Sequence, residues 1–126
     1  TSAAKTIDRI IDVFPAEEKD MVRSMLSESL QAVISQTLVK RINGGRVAAH
    51  EIMIGTPAIR NLVREDKVHQ LESVVQTGGR LGMRTMNQSL LQHCNDGQIS
   101  FKNALRYSPT PDDIERMYKK SGGVCV

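Results

Sequence analysis

The tripeptide Asn43-Gly44-Gly45 limits the folds open to this chain more than any other feature. It lies between Leu38-Val39-Lys40-Arg41-Ile42 and the run from Arg46 to Ile54, Arg-Val-Ala-Ala-His-Glu-Ile-Met-Ile. Asn-Gly between two extended-leaning runs is a strong short-range signal for a β-hairpin, because both residues accept the backbone angles of tight hairpin turns. A lone hairpin is only marginally stable in water, so other elements must cover it. Those other elements read as helices. The fold class expected is mainly α: a compact multi-helix domain with one β-hairpin.

The helical reading rests on the spacing of apolar residues. Thr1 or Ser2 can cap a first helix running through Phe14, with Ala3, Ala4, Ile7, Ile10, Ile11 and Phe14 on one face. Pro15 ends it and can open the next, whose first turn holds Glu17, Glu18 and Asp20, where the helix dipole favours acids. Met21, Val22, Met25, Leu26, Leu30, Val33, Ile34 and Leu38 continue an apolar stripe, with Ser27 a candidate break. Thr56-Pro57 is an N-cap followed by proline at the first helical position, and a helix is expected to about Glu65. Asp66 is expected to cap another, to about Gln76. Gly78-Gly79 and Gly82 punctuate the chain. Met83, Met86, Leu90 and Leu91 mark a helix ending near Asp96-Gly97, Ser100 caps a short helix to Tyr107, and Thr110-Pro111 caps a last one to about Lys120. Residues 1–121 are expected to form the helical domain and 122–126 a flexible tail. With two Phe, two Tyr and no Trp, the core must be aliphatic. Met21, Met25, Met83 and Met86 are accordingly expected in it rather than in a docking groove.

Chemistry is hard to find in this chain. The phosphate-loop pattern G-x-x-x-x-G-K-[ST] does not occur; Met83-Arg84, not Lys-Ser or Lys-Thr, comes after Gly78, Gly79 and Gly82. His50, His69 and His93 are scattered without metal-ligand spacing, and no Ser or Cys has an evident base partner. No catalytic residue and no metal site is expected, and the chain alone is not expected to hydrolyse ATP. Its two cysteines, Cys94 and Cys125, form no disulfide framework and read as reduced thiols of a cytosolic protein. No apolar run reaches the length of a membrane span. Lacking an initiator Met and opening directly on a helix signal, the sequence reads as a fragment or a processed form.

One segment carries more information. In Ala58-Ile59-Arg60-Asn61-Leu62-Val63-Arg64-Glu65, helical spacing puts Ile59, Leu62 and Val63 on an apolar face and Arg60, Asn61 and Arg64 on another. Like charges four positions apart cost an isolated helix roughly 0.2–0.5 kcal/mol. Such a pair suits a carboxylate or phosphate partner, which the guanidinium fork binds bidentately. The competing reading is a solvated face with snorkelling arginines.

The same segment, with Val63 in place of Ile, resembles the A-I-R-N-L-I-R-E signature of the type IV pilus retraction (twitching motility) ATPases, the PilT family. Thr1 to Asp12 is similar to the stretch just after the histidine box in that family, and Arg46 to Ile52 resembles its next strand. The resemblance covers the chain to about Ser100. It implies the C-terminal half of a RecA-like motor: a cytoplasmic homo-hexamer, peripheral to the inner membrane at the pilus base, that hydrolyses ATP to drive pilus retraction. ATP and Mg would sit on the N-terminal nucleotide-binding half. This chain would transmit the conformational change, with residues 58–65 as motor-output motif, Gly55, Gly78 and Gly79 as candidate hinges, and that half, its own copies and the pilus-base platform as partners. Replacing Arg60 and Arg64 by Ala is then expected to spare folding and damage motor output. Two alternatives stand beside it. One is a stand-alone helical interaction adaptor. The other is a weakly basic nucleic-acid module using Lys40, Arg41, Arg46, Arg60 and Arg64, which the scarcity of stacking aromatics disfavours.

Overall fold

The computed structural model describes residues 2–123; the Thr1 cap candidate and positions 124–126 of the expected tail lie outside them. The elements run α1 (Ala3–Asp12), a 3-10 turn (Ala16–Glu18), α2 (Lys19–Ser29), β1 (Ala32–Lys40), β2 (Arg46–Ile54), α3 (Pro57–Arg64), a 3-10 turn (Val68–Gln70), α4 (Leu71–Gln76), a 3-10 turn (Gly79–Leu81), α5 (Met86–Asn95), α6 (Phe101–Tyr107) and α7 (Pro111–Lys120). The fold is therefore mainly α with one antiparallel hairpin, β1 paired to β2. Arg41 N–H donates to the Gly45 carbonyl at 3.0 Å across the turn, and Gly44 and Gly45 take positive φ (93° and 72°). Among the described residues no helix is long and apolar enough to cross a membrane.

The apolar stripe expected to run helically to Leu38 ends at Ser29. Leu30 is extended (φ −65°, ψ 120°) and β1 begins at Ala32. Along β1, Val33, Ser35, Thr37 and Val39 turn inward while Ile34, Gln36, Leu38 and Lys40 are exposed. Val33, Ile34, Thr37 and Val39 are β-branched, which suits a strand better than a helix. The stripe misleads because Ile34 and Leu38 are apolar residues on the exposed side. Ser27 does not break α2; it is buried inside it and donates to the Ser24 carbonyl at 2.8 Å.

The chain divides into two compact units, and both strands contribute to each. One comprises Thr1–Ser35 and Ile52–Arg84, the other Gln36–Glu51 and Thr85–Val126. The first unit packs Ile7 and Ile11 of α1 with Met53, Ile59, Val63, Leu71 and Val75. Ser2 caps α1 by accepting from Lys5 N–H at 3.1 Å. Met83 joins this core and Met86 that of the second unit, but Met21 and Met25, also expected inside, are 58% and 62% exposed on α2. Val22 and Leu26 take the inward face of that helix instead.

Asp66 does not cap α4. It sits in the left-handed region (φ 59°) just past α3, where Lys67 N–H donates to the Leu62 carbonyl at 2.8 Å and Asp66 N–H to Val63 at 3.3 Å. This is a Schellman closure with aspartate where glycine is usual, a conformation Asp tolerates better than most residues.

The second unit packs Val39, Ala49, Leu90, Ile99, Ala104 and Ile114, with the Phe101 and Tyr118 rings stacked at 3.8 Å. The capping box of α5 is complete, with Thr85 Oγ1 accepting from Gln88 N–H and Gln88 Oε1 from Thr85 N–H. Cys94 is buried on α5; Cys125, the other cysteine of the chain, lies outside the described residues. Thr110 makes no side-chain cap for α7; its exposed hydroxyl meets the buried Asn87 instead. Asn87 Nδ2 donates to Thr110 Oγ1 at 2.9 Å, and Ser108 Oγ donates to Asn87 Oδ1 at 2.6 Å. Both ends of a buried amide are thus satisfied.

Removing that amide takes away two hydrogen bonds and leaves the hydroxyls of half-buried Ser108 and exposed Thr110 to water. Asn87→Ala is expected to lower unfolding stability by about 2 kcal/mol, the net worth of two hydrogen bonds. Urea denaturation measures it, and an unchanged midpoint would show that the network carries no stability.

Candidate functional site

Helix α3 is set by its cap and by its apolar face. Thr56 Oγ1 accepts from Ile59 N–H at 3.4 Å, and Pro57 occupies the first turn. Ile59 and Val63 are fully buried and Leu62 packs against the same core. This leaves the two arginines of the 58–65 motif, and the structure separates them.

Arg60 is half-buried. Its Nη2 donates to the Leu30 carbonyl at 3.0 Å, and its buried Nε finds no hydrogen-bond acceptor. Arg64 is exposed and donates from Nη2 to Asn61 Oδ1 at 3.0 Å. Asn61 in turn reaches Glu65 at 3.5 Å, and Lys67 pairs with Glu65 at 3.5 Å. The pair is therefore not one continuous cationic face. Arg60 ties α3 to the end of α2, and Arg64 with Asn61 and Glu65 forms the outward part. Since Arg60 closes a tertiary contact, its replacement is not expected to spare folding; that expectation holds for Arg64.

Two features are not legible in sequence. Arg23 on α2 is largely buried and sits between two carboxylates, Asp20 Oδ1 at 2.9 Å and Asp66 Oδ1 at 3.4 Å. Its spacing to Asp20 is readable as a helical pair, but the reach to Asp66 depends on the left-handed turn after α3. The second is the Leu30 carbonyl, a backbone acceptor that no side-chain pattern announces.

The three glycines proposed as hinges have different surroundings. A Cβ on Gly55 would lie 2.1 Å from the Leu30 carbonyl oxygen, so glycine is needed there for close backbone approach. On Gly78 it would meet Met83 Cε at 2.5 Å and the Val74 carbonyl at 3.0 Å. On Gly79 it would meet nothing within 4 Å.

Two of the three histidines make bonds to nearby structure. His93 Nε2 bonds the Ala48 carbonyl at 2.8 Å, and His50 Nε2 lies 3.1 Å from Gln36 Oε1 on the neighbouring strand. Among the described residues no group of three or more His, Cys, Asp or Glu side chains is placed to hold a metal ion.

No protein-family model matches the chain. Its fold is similar to the crystal structure of the pilus retraction motor PilT with bound ADP, at a TM-score of 0.82 and 44% identity, covering 91% of this chain and 32% of that one. The fold thus defines a portion of a pilus-motor ATPase. In sequence the chain is 68% identical over 114 residues to the type IV pilus retraction ATPase PilT of Pseudomonas aeruginosa, which covers 90% of this chain and 33% of that protein. It is 62% identical over 115 residues to a twitching motility protein of Neisseria gonorrhoeae, covering 90% and 31%. The chain belongs to the PilT family of type IV pilus retraction ATPases and matches their C-terminal portion. It spans 31–33% of the length of these curated relatives.

The glycine surroundings make a direct comparison. Gly55→Ala is expected to cost about 2 kcal/mol or more, as overpacking against backbone does. Gly79→Ala is expected to be neutral or to stabilise by about 0.4–1 kcal/mol through the unfolded chain. Thermal melts of the two variants decide it; equal stability would remove the close-approach account of Gly55.

Proposed function

We propose that this chain passes ATP-driven conformational change to pilus disassembly and twitching motility within a hexameric type IV pilus retraction ATPase. The observation that supports this most is the build of α3. The helix is anchored on one side by Ile59 and Val63 in the core and on another by Arg60 at the Leu30 carbonyl. Arg64, Asn61 and Glu65 remain outward. A helix held this firmly transmits a push without yielding, and presents a guanidinium to whatever it pushes against.

The nucleotide is not assigned to these residues. The phosphate-loop pattern G-x-x-x-x-G-K-[ST] does not occur in this sequence. ATP and Mg are given to a nucleotide-binding half of the parent protein; the ADP bound to the related motor supports nucleotide binding by that parent. The partners are that half, neighbouring copies in the homo-hexamer and the platform at the pilus base, with the motor cytoplasmic and peripheral to the inner membrane. In this scheme Arg64 meets a carboxylate on a neighbour in one state of the cycle and leaves it in another. Backbone change is taken up where Gly79 has open space around it.

In the full motor, Arg64→Ala is expected to leave unfolding stability within about 0.5 kcal/mol and to abolish twitching on a surface. Arg60→Ala is expected to cost about 2 kcal/mol, the scale of a charged hydrogen bond. Normal twitching by both Arg64→Ala and Arg64→Glu would refute the role given to the outward arginine.

A further inference from the structure

The second unit carries cations that the motor reading does not use. Lys40, Arg41 and Arg46 flank the hairpin turn, and residues 41–46 are all exposed. Two bonds bring α6 to the same place. Ile42 N–H donates to the Gln98 carbonyl at 2.9 Å, and Asn103 Nδ2 reaches the Lys40 carbonyl at 3.3 Å. On α6, Lys102 and Arg106 are exposed at helical spacing on either side of Asn103. Among the described residues none of these five cations forms an ion pair. The acid nearest in sequence to Gln98, Asp96, accepts instead from Gln92 Nε2 at 3.0 Å. At the turn itself Ile42 is 49% exposed, an apolar side chain between Arg41 and Arg46.

We propose that this hairpin turn, with α6, docks on an anionic phospholipid surface, with Ile42 entering the headgroup layer and the five cations facing lipid phosphates. Several observations favour a bilayer over other anions. Among the described residues no side-chain hydrogen bond orients any of the five, so the set offers diffuse charge and not the fixed fork that an acidic peptide or single phosphate selects. An exposed aliphatic residue ringed by Lys and Arg is the composition of an interfacial anchor, in which the long side chains reach headgroups while the apolar one is buried. A nucleic-acid strand would use aromatic faces, but here Phe101 and Tyr118 stack on each other.

The surface is confined to one unit and is tested on this chain, so its failure would leave the motor reading untouched. Vesicles of phosphatidylcholine alone and of phosphatidylcholine with phosphatidylglycerol would be floated with the chain at low salt. The chain is expected to float with the anionic vesicles and not with the neutral ones. The triple variant Lys40→Gln, Arg41→Gln, Arg46→Gln is expected to lower the partition coefficient about a hundredfold, from the contribution of each basic residue near an anionic surface. Ile42→Ser is expected to lower it several-fold while preserving the preference for phosphatidylglycerol. Should the triple variant misfold, Lys102→Gln with Arg106→Gln replaces it, with a loss of about thirtyfold expected. Equal flotation with both vesicle types, full binding by the charge variants, or binding of a duplex DNA oligonucleotide without flotation would each overturn the proposal.

Discussion

Much of the first unit depends on one backbone oxygen, the carbonyl of Leu30. It lies where α2 gives way to β1, so the helix itself cannot satisfy it. Gly55, at the exit of β2, comes so close that a methyl group would overlap this oxygen, and Gly55 N–H donates to the next carbonyl, Gln31, at 2.8 Å. Arg60, one turn into α3, completes the junction with its guanidinium. Where the chain enters and leaves the hairpin is therefore pinned at the end opposite the turn. A two-stranded ribbon has little stability of its own, and this clamp, together with the burial of Met53, holds its open end to the helices.

The clamp also explains a residue that burial alone would disfavour. A guanidinium that is half out of water loses hydration, and Arg60 keeps one N–H unsatisfied. A single charged hydrogen bond offsets part of that loss. The like-charge cost between Arg60 and Arg64, expected for an isolated helix, is softened in the same way. Each guanidinium turns to a different neutral acceptor, the Leu30 carbonyl for one and the Asn61 amide oxygen for the other.

The legible parts of this fold are those written in local chemistry. Ser2, Thr56, Thr85 and Ser100 accept from backbone N–H groups at the starts of their helices, and the Asn-Gly-Gly turn joins the strands. The α3 motif can be placed on a helix with its apolar face inward because Ile59, Leu62 and Val63 sit at steps of three and four. Sequence misleads where two periods fit the same residues. Val33, Ile34 and Leu38 extend a helical stripe as readily as they alternate along a strand, and only the inward burial of Val33, Ser35 and Thr37 distinguishes them. Exposure of Met21 and Met25 is illegible for a related reason: helical spacing defines a face but not what lies against it. Asp66 reads as a cap because aspartate commonly caps; that it ends α3 instead depends on the Schellman bonds to Leu62 and Val63.

Of the candidate site, the sequence announces the residues but not their division of labour. Arg60 and Arg64 look equivalent on a helical wheel. They differ because the chain that precedes β1 passes beside Arg60 and leaves Arg64 uncovered, a long-range fact with no local signal. The consequence is chemical. Neither of the two arginines forms an ion pair with a described carboxylate, so the motif retains both positive charges. Arg60's charge is held inside the clamp, but Arg64's is at the surface, bound only to an exposed amide that a carboxylate or phosphate can displace at small cost. A helix anchored at one arginine and openly charged at the other can change partners without changing shape, which is what the proposed output role would require of it.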